Sequence, residues 1–449
     1  MDMRNFLEHK YTFPAILLAA LILRLIPLIS AVSDGTRLLR PDSPGYLEPA
    51  SALVENFSYP STTRPPGYPV FAAIIYFLGG NNAAIAAVQL FIAVAACAIT
   101  GFAAKEYAGK AAGNLATLFM TLNLTAIANT PLLLSDTLFS LFAAGQFYFF
   151  VRYHKSNSLK HLCFCTLIAA AAVLIRPINQ LMLLVLPVMI LLKSNLKWKQ
   201  KFIHSAITVL LFLAVITPWM TRNYLCGATF DIDTNTGAMR HQNGAMLLAK
   251  VNGTDFESEK QKLLEIERQT FPPGQSFSVR ERENWRKKEF RSMVMKYPFT
   301  YFTQHFDPMI LLPDAPSMME NFGITTSDRG TMGVLKKEGL LAAIQHYFGN
   351  NWLWMLLLLI PLLLPTMILY AALLGKLTFD TVKIKNRWYE WLIFLAFAEY
   401  YLFLPGSITA PRYQLPALPC ICTLAASVII QYFQHKNETK SAACPTVEM

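Results

Sequence analysis

Apolar stretches long enough to cross a bilayer alternate with short polar connections along most of the chain. An α-helix needs about 20 consecutive apolar residues to span the hydrocarbon core, so each stretch predicts a transmembrane helix. The predicted spans lie at residues 14–32, 82–104, 111–129, 134–152, 161–176, 178–193, 202–219, 351–375, 388–405 and 416–433. No small-residue cleavage site follows the first span, so we expect it to be retained and not removed as a signal peptide.

Lysine and arginine are concentrated in every second connection, which orients the predicted helices. The basic segments are residues 4–10, 105–110, 152–160, 193–201, 376–387 and 436–440. Because short cytoplasmic loops collect positive charge, this alternation supports the number of spans and predicts that both termini are cytoplasmic. The other connections are then predicted to face outward.

Two segments do not fit the span pattern. The apolar segment 68–80 is too short to cross and too apolar for a free loop, so it predicts a helix in the outer interface. The hydrophilic region 223–350 predicts an extracytoplasmic loop domain. This domain would separate an N-terminal transmembrane module, residues 1–222, from C-terminal helices and a cytoplasmic tail, residues 351–449.

A basic stretch, residues 278–298, predicts a helix within the hydrophilic region. Long loops are translocated regardless of their charge, so its lysines and arginines do not contradict an outward position. Phe290, Val294 and Tyr297 lie near one face of this helix. The helix therefore either rests on the membrane surface or belongs, solvated, to a small domain.

Composition supports a membrane protein and argues against a nucleic-acid partner. Hydrophobic residues make up 54% of the 449 residues and charged residues only 15%, against about a quarter in soluble domains. The formal net charge of +11 is expected from cytoplasmic loops beside anionic lipid headgroups. The seven cysteines make no disulfide or zinc framework, because most of them lie in apolar spans.

The chemically informative residues fall on the outward side. Two acids and three arginines lie there beside the ends of predicted helices: Asp42, Asp136, Arg176, Arg222 and Arg412. Each also has a simpler interpretation. Asp136 stands at a helix start, where it would cap free N–H groups, and Arg176 and Arg222 would extend to the headgroups. Asp42 would form a surface ion pair with Arg40.

Arg24 lies inside the first predicted span, close to Pro27. An arginine in the middle of a membrane costs about 2.5–3.5 kcal/mol on insertion scales, so it needs a polar partner. An outer acid, a lipid phosphate, or the outer headgroups reached by an extended side chain would each supply one.

Acids and arginines at an outer lipid interface suit a polyprenyl-phosphate sugar, whose tail lies in the bilayer and whose sugar lies in water. Arginine matches the phosphate through its planar, permanently charged fork, and a carboxylate can accept the proton of an attacking hydroxyl. Phosphate is already a good leaving group, so stabilising its charge matters more than a general acid. Direct displacement with one base predicts inversion at the anomeric carbon.

Ordered motifs extend over nearly the whole chain. They are Asp42 with Tyr46, RPPGYPVFAAIIYFLGG (64–80), NTPLLLSDTLFSLF (129–142), IRP (175–177), PWMTRNYLCGATF (218–230), KYPFTYF (296–302) and PRYQLPALP (411–419). Their order and spacing resemble the GT-C glycosyltransferases of family 39 type, which include protein O-mannosyltransferases and lipid A aminoarabinose transferases. The resemblance implies an all-α polytopic membrane protein of GT-C fold. It would have about ten transmembrane helices, outer-face interfacial helices and one extracytoplasmic loop domain.

The resemblance also implies roles for individual residues. The first-loop acid Asp42 would act as the base or position the acceptor, and Asp136 would lie in the same cavity. The three outward arginines, Arg176, Arg222 and Arg412, would bind the donor phosphate. Other polar residues of the motifs are expected to position the substrate: Tyr46, Arg64, Tyr68 and Tyr413.

Two positions depart from the family pattern. Asp42 is followed by Ser43, where the family often has a second acid, and no acid precedes Arg412, where one is common. These departures argue against a protein mannosyltransferase. They also leave a divalent metal in doubt, since only Asp42 and Asp136 would hold Mg²⁺ or Mn²⁺.

We therefore expect a glycosyltransferase of the cytoplasmic (inner) membrane that acts on the periplasmic side. Its donor would be a polyprenyl-phosphate sugar, on undecaprenyl phosphate in a bacterium, and its acceptor a cell-envelope glycan, glycolipid or protein. No cofactor other than that metal is expected. Two alternatives stay open: a polysaccharide polymerase or ligase, and a lipid-sugar transporter, which would line its path with charges.

Overall fold

The computed structural model describes residues 3–324, 331–349, 352–382, 388–406 and 410–442. Helices and turns make up these ranges, and no strand occurs among them, which confirms the predicted all-α class. Residues 383–387 of one predicted basic segment, and residues 443–449 of the predicted tail, lie outside the described part.

The first part of the chain forms helices that overlap the predicted spans and also helices outside them, at residues 3–8, 44–56 and 67–77. They are α1 Met3–Glu8, α2 Thr12–Ser33, α3 Pro44–Asn56, α4 Gly67–Phe77, α5 Asn82–Ala108, α6 Lys110–Leu122, α7 Leu124–Asn129, α8 Asp136–Ser156, α9 Leu159–Val173, α10 Met182–Leu192 and α11 Trp198–Leu225. Short 3-10 helices, Gly35–Leu38 and Pro177–Leu181, precede α3 and α10. Within the described ranges, α2, α5 and α11 are long and apolar enough to cross a membrane. This supports a membrane protein.

The predicted span 111–129 is divided into two helices, α6 and α7. The side chain of Asn123 accepts a hydrogen bond from the N–H of Ala126 (2.9 Å) and so starts a new helix after α6 has ended. Asparagine is a strong N-cap residue because its side chain satisfies an N–H group that has no partner within the helix. The break between α6 and α7 lies in the chain segment that precedes Asp136.

The hydrophilic region folds into short helices. They are α12 Thr236–Ala238, α13 Ala245–Asn252, α14 Phe256–Thr270, α15 Val279–Lys296, α16 Pro298–Thr303, α17 Ala315–Asn321, α18 Thr331–Glu338 and α19 Leu340–Phe348. Ser278 and Glu281 form a capping box at the start of α15. The ring of Phe290 lies 5.9 Å from that of Tyr301, so the apolar face of α15 is used inside the loop domain. This favours the solvated-helix interpretation over a helix that rests on the membrane.

The C-terminal helices also follow the predicted spans. They are α20 Trp352–Val382, α21 Trp388–Phe394, α22 Tyr400–Phe403 and α23 Leu418–Ala442. A π-helical segment, Leu395–Glu399, joins α21 to α22, and a 3-10 helix, Pro411–Gln414, precedes α23. Because α23 packs on α5, α6 and α20, the last helix returns to the N-terminal module.

The centre of the bundle is α5, which contacts α2, α6, α8 and α23. Glycines let it approach α6 closely: a Cβ on Gly101 would clash with Thr117 Oγ1, and one on Gly113 would lie 2.9 Å from the carbonyl oxygen of Gly101. Close contact through small residues is how transmembrane helices commonly pack, because the hydrophobic effect does not drive their association inside lipid.

Arg24 is fully buried in α2 and binds the end of a neighbouring helix. Its Nη2 donates to the carbonyl oxygen of Met120 (2.9 Å) and its Nη1 to that of Thr121 (3.1 Å). These carbonyls belong to the last turn of α6, which has no further helical partners and carries the negative end of the helix dipole. The three partners expected from sequence were therefore wrong. Backbone oxygens, not an acid or a lipid, stabilise this cation.

The RPPGY segment packs against the connection between α9 and α10. The N–H of Gly67 donates to the carbonyl oxygen of Leu174 (2.6 Å), and a Cβ on Gly67 would lie 2.7 Å from that oxygen and from Ile175 Cγ1. Only glycine leaves room for this contact. It fixes the position of Arg64 relative to Arg176, because each arginine lies a few residues from the contact.

We predict that Gly67→Ala destabilises the protein by about 1–3 kcal/mol, because the added methyl group meets backbone that has no space to withdraw. The measurement is thermal unfolding of the purified protein in detergent. Gly35→Ala is the matched control, since a Cβ there meets nothing within 4 Å. Equal unfolding temperatures for the two variants would contradict the close approach of Gly67.

Candidate active site

The first loop after α2 forms a closed turn that presents Asp42. The N–H of Ser43 donates to the carbonyl oxygen of Arg40 (2.8 Å), and the Ser43 hydroxyl accepts from the N–H of Arg40 (2.9 Å). Ser43 is fully buried. The residue that departs from the family pattern thus closes the turn that holds Asp42 at the start of α3. We call the end of the bundle that carries this turn the site face.

Asp42 lies between two arginines. Its Oδ1 is 2.9 Å from Nη2 of Arg64, and its Oδ2 is 3.3 Å from Nη2 of Arg412. The side chain keeps 47% of its surface exposed, so one side of the carboxylate still faces solvent. The expected ion pair with Arg40 is wrong, because Arg40 pairs with Glu320 instead (3.0 Å).

Asp136 is the buried acid of the site, with 6% of its side chain exposed. It opens α8 and forms an ion pair with Arg176, and its Oδ2 lies 3.9 Å from Nε of Arg412. The first turn of α8 contains no side-chain cap at Ser135. Asp136 therefore pairs with arginine. Arg176 binds this acid, although its simpler interpretation from sequence was an extension to the headgroups.

Arg412 joins the two acids. We call Asp42, Asp136, Arg64, Arg176 and Arg412 the charge cluster. Burial opposes the positive charge of Arg412, yet Asp136, Tyr413 and Asp42 together raise its pKa above the ordinary value. Three arginines surround two carboxylates, which leaves one positive charge in excess. Such a cluster is suited to bind an anion.

Tyr413 lies beside two of the arginines. The guanidinium carbon of Arg176 is 5.2 Å from the centre of its ring, and that of Arg412 is 5.3 Å away. Cations held near an aromatic ring are attracted to its π-system. The ring therefore keeps the two guanidiniums close together despite their like charge.

Tyr46 supports Arg64, and Tyr68 supports Tyr46. The guanidinium of Arg64 lies 4.7 Å from the ring centre of Tyr46, whose hydroxyl is 3.2 Å from Ser135 Oγ. Tyr68 is fully buried, donates to Gln89 (2.6 Å) and packs edge-on against Tyr46 (5.2 Å). Its burial means that Tyr68 contributes to the site through Tyr46 and not by direct contact with a ligand.

Arg222 binds backbone oxygens of the loop before Arg64, and its predicted contact with the donor phosphate stays a prediction. Its Nη1 donates to the carbonyl oxygen of Ser61 (2.9 Å), its Nη2 to that of Tyr59, and it lies 4.9 Å from the ring centre of Trp219. These contacts attach the loop before Arg64 to the end of α11. Arg222 thus holds the backbone beside the charge cluster and has no ion pair with either of its acids.

Gln414 fixes the turn that carries Arg412. Its Nε2 donates to the carbonyl oxygens of Ile310 (2.9 Å) and Leu312 (3.0 Å), and its Oε1 accepts from the hydroxyl of Tyr370 (2.7 Å). Gln414 stands at a variable position of the Arg-Tyr motif, so the motif alone did not mark it. Its burial and full set of hydrogen bonds identify it as a structural support of the site.

Asp233 is a further acid near the charge cluster that no motif marks. It lies in the segment after α11, where Arg64 acts on it electrostatically. Burial raises the pKa of Asp233 to about 6, although the hydrogen bond from the N–H of Asn235 and the charge of Arg64 oppose this rise. The sequence predicts the loop domain from the composition of residues 223–350, and composition does not mark any single acid in that region.

The acids of the charge cluster do not fit a divalent cation. Mg²⁺ and Mn²⁺ need several oxygen ligands, and within the described ranges no group of three metal-ligating side chains occurs. Asp42 and Asp136 are already paired with arginines, which would also repel a cation.

Removing the buried acid should cost far more stability than removing the exposed one. We predict that Asp136→Asn destabilises the protein by about 3 kcal/mol, because it leaves two arginines without their buried partner. Asp42→Asn should cost less than about 1 kcal/mol, since its carboxylate is half-exposed. Thermal unfolding of both variants in the same detergent measures this difference. Equal losses would contradict the different burial of the two acids.

A family model covers part of the chain. Residues 63–221 match the family described as dolichyl-phosphate-mannose-protein mannosyltransferase. This segment contains Arg64, Asp136 and Arg176 of the charge cluster. No curated protein matches the sequence.

Solved membrane enzymes share the fold. The archaeal oligosaccharyltransferase AglB from Archaeoglobus fulgidus, in complex with an inhibitory peptide and a dolichol-phosphate, matches with a TM-score of 0.52 and 12% identity. The match covers 98% of this chain and 53% of that one, so the chain spans about half the length of AglB. The apo form of the same organism's oligosaccharyltransferase gives a TM-score of 0.53 at 10% identity, with the same coverage of both chains.

ArnT from Cupriavidus metallidurans, bound to undecaprenyl phosphate, matches with a TM-score of 0.47 and 14% identity, over 97% of this chain and 64% of that one. The comparison of folds rests on the two oligosaccharyltransferase matches, whose TM-scores are 0.52 and 0.53. They confirm the GT-C fold that the motifs predicted. The family model matches residues 63–221, which is less than half of the chain.

Proposed function

We propose that this chain is a membrane glycosyltransferase that moves a sugar from a polyprenyl phosphate to a cell-envelope acceptor. One observation carries the proposal: Arg412 is shared by Asp42 and Asp136, and Arg64 and Arg176 each bind one of these acids, so three arginines converge on one place. A lipid-linked phosphate at the membrane surface is an anion that matches this charge and position. The matched family region and the fold support the same class of reaction.

In the proposed mechanism, Arg176 and Arg412, which both lie beside the Tyr413 ring, bind the donor phosphate. Both guanidiniums offer several N–H donors, and both are partly buried, where charge-assisted hydrogen bonds are strong. As the bond between the anomeric carbon and the phosphate oxygen breaks, its electron pair leaves with the polyprenyl phosphate. The arginines then stabilise the growing negative charge.

Asp42 is the proposed base, because it is the acid of the charge cluster that still faces solvent. The acceptor hydroxyl transfers its proton to Asp42 while its oxygen forms the new bond to the anomeric carbon. Attack from the side opposite the phosphate inverts that carbon. Asp136 stays paired with Arg176 and keeps this arginine in position.

The proposed location is the cytoplasmic (inner) membrane, with the site face directed toward the periplasm. The alternation of basic segments supports cytoplasmic termini. Undecaprenyl phosphate is the proposed carrier, and membrane lipids surround the bundle. The proposed acceptor is a glycan, glycolipid or protein of the envelope.

The transporter alternative has lost its main support. Arg24 was the one obvious charge inside a predicted span, and it is engaged with carbonyl oxygens at the end of α6. The polymerase or ligase alternative differs in its donor, which would carry a diphosphate. The donor lipid consumed therefore distinguishes it from the proposed reaction.

Undecaprenyl phosphate should bind through the two arginines beside Tyr413. We predict that Arg176→Gln and Arg412→Gln each weaken its binding by about 10- to 100-fold, the value of a charge-assisted hydrogen bond. Native mass spectrometry with added undecaprenyl phosphate measures this, and lipid retained from the membrane identifies the carrier. Arg291→Gln, on the exposed side of α15, is the control. Equal binding by all three variants would exclude the proposed phosphate site.

Sugar transfer should not require a divalent metal, because arginines occupy both acids. We predict that EDTA leaves turnover unchanged and that added Mg²⁺ or Mn²⁺ does not raise it. Turnover is measured as undecaprenyl phosphate formed. Loss of turnover in EDTA, with recovery on adding metal, would show that a cation displaces the arginines.

A further inference from the structure

The segment that carries Asp233 is attached to the loop that carries Arg64. The N–H of Thr234 donates to the carbonyl oxygen of Thr62 (2.9 Å), and the hydroxyls of these two threonines lie 3.2 Å apart. Trp219 Nε1 donates to the carbonyl oxygen of Ile232 (2.9 Å). The contacts of Ile232 and Thr234, the residues before and after Asp233, therefore hold Asp233 beside the loop that ends at Arg64.

The neighbours of Asp233 are already paired, whereas its own side chain is not. Asp231 pairs with Lys287 (3.0 Å), and Glu283 pairs with Arg286 (2.8 Å). Asp233 accepts a hydrogen bond from the N–H of Asn235 (3.3 Å). Within the described ranges it has no cation at ion-pair distance, and Arg64 is the cation that acts on it electrostatically.

Arg64 uses its donors on the other side. Its Nη2 binds Asp42 (2.9 Å), its Nη1 reaches the hydroxyl of Tyr46 (3.4 Å), and it lies over the Tyr46 ring. Its side chain is 25% exposed and close to Gly45, where a Cβ would lie 3.3 Å from its Nε. The guanidinium therefore has Asp42 as a bound partner and Asp233 as a second acid nearby.

We propose that Asp233 is a positioning residue that acts through Arg64: its negative charge draws the guanidinium away from Asp42, so that Asp42 can accept the acceptor's proton. This inference rests on the proposed function. Arg64 occupies Oδ1 of Asp42 and Arg412 lies at its Oδ2, so both oxygens are engaged before the acceptor's proton can reach one of them. Asp233 competes for one of these cations. The proton from the acceptor hydroxyl still goes to Asp42.

The inference has a pH dependence of defined sign. Because the pKa of Asp233 is about 6, it is neutral below this pH and cannot compete for Arg64. Above this pH it is ionised and attracts Arg64. The charged groups that act on Asp233 are Arg64, Asp231 and Glu283. Turnover should therefore rise as the pH increases through about 6.

The test compares Asp233→Asn with the wild type in membrane vesicles that supply the acceptor. The donor is the mixture of polyprenyl-phosphate sugars extracted from the same membranes, and undecaprenyl phosphate formed is counted by mass spectrometry. We expect Asp233→Asn to lower kcat about tenfold above pH 7 and to remove the rise near pH 6. Asp233→Glu should restore both. Glu265→Gln, at an exposed acid of α14 that pairs with Arg268 (3.6 Å), is the control and should keep the wild-type profile.

A double-mutant cycle separates action through Arg64 from a general loss of structure. In an Arg64→Gln background, Asp233→Asn should cause no further loss, because the residue it acts through is gone. A full additional loss there, or a wild-type profile for Asp233→Asn, would overturn the inference while the proposed function stands. Absence of transfer by the wild type would overturn both.

Discussion

An arginine shared by two carboxylates holds the candidate site together. Arg412 and Asp42 are 370 residues apart in the chain, and Arg412 also approaches Asp136 at the start of α8. Partly buried charges are costly unless they are paired, so the first loop, α8 and the turn before α23 must meet for any of these charges to be stable. The contacts of Gly67, Arg222 and Gln414 hold the backbone on which this meeting depends.

The sequence predicted the helices and the convergence of the charge cluster for one physical reason. Apolar length and the alternation of basic loops assign each helix end to a face, and Asp42, Asp136, Arg176 and Arg412 all stand at such ends. Residues assigned to the same face of a small bundle lie close together even when they are distant in sequence. Only the structure shows how these residues pair, because assigning residues to one face of the bundle does not specify which arginine binds which acid.

The interactions that could not be predicted from the sequence either involve backbone partners or depend on how loops pack. Arg24 binds carbonyl oxygens of α6, and Arg222 binds those of the loop before Arg64. Every residue carries a carbonyl, so no residue type marks such a partner. Asp233 lies in a hydrophilic region without motifs, and its relation to Arg64 arises from contacts between two loops.

The unequal burial of the two acids gives the proposed reaction an order. A donor phosphate that binds Arg176 and Arg412 must compete with carboxylates for the same N–H donors. Asp136 is buried, so solvent does not reach it to replace its arginines, and separating it from them would be costly. Asp42 is half-exposed, and water can solvate it when Arg412 turns to the phosphate. On the proposed mechanism, donor binding therefore releases the acid that faces the acceptor. The base becomes available only when a sugar is in place, which limits the reaction of the empty site with water.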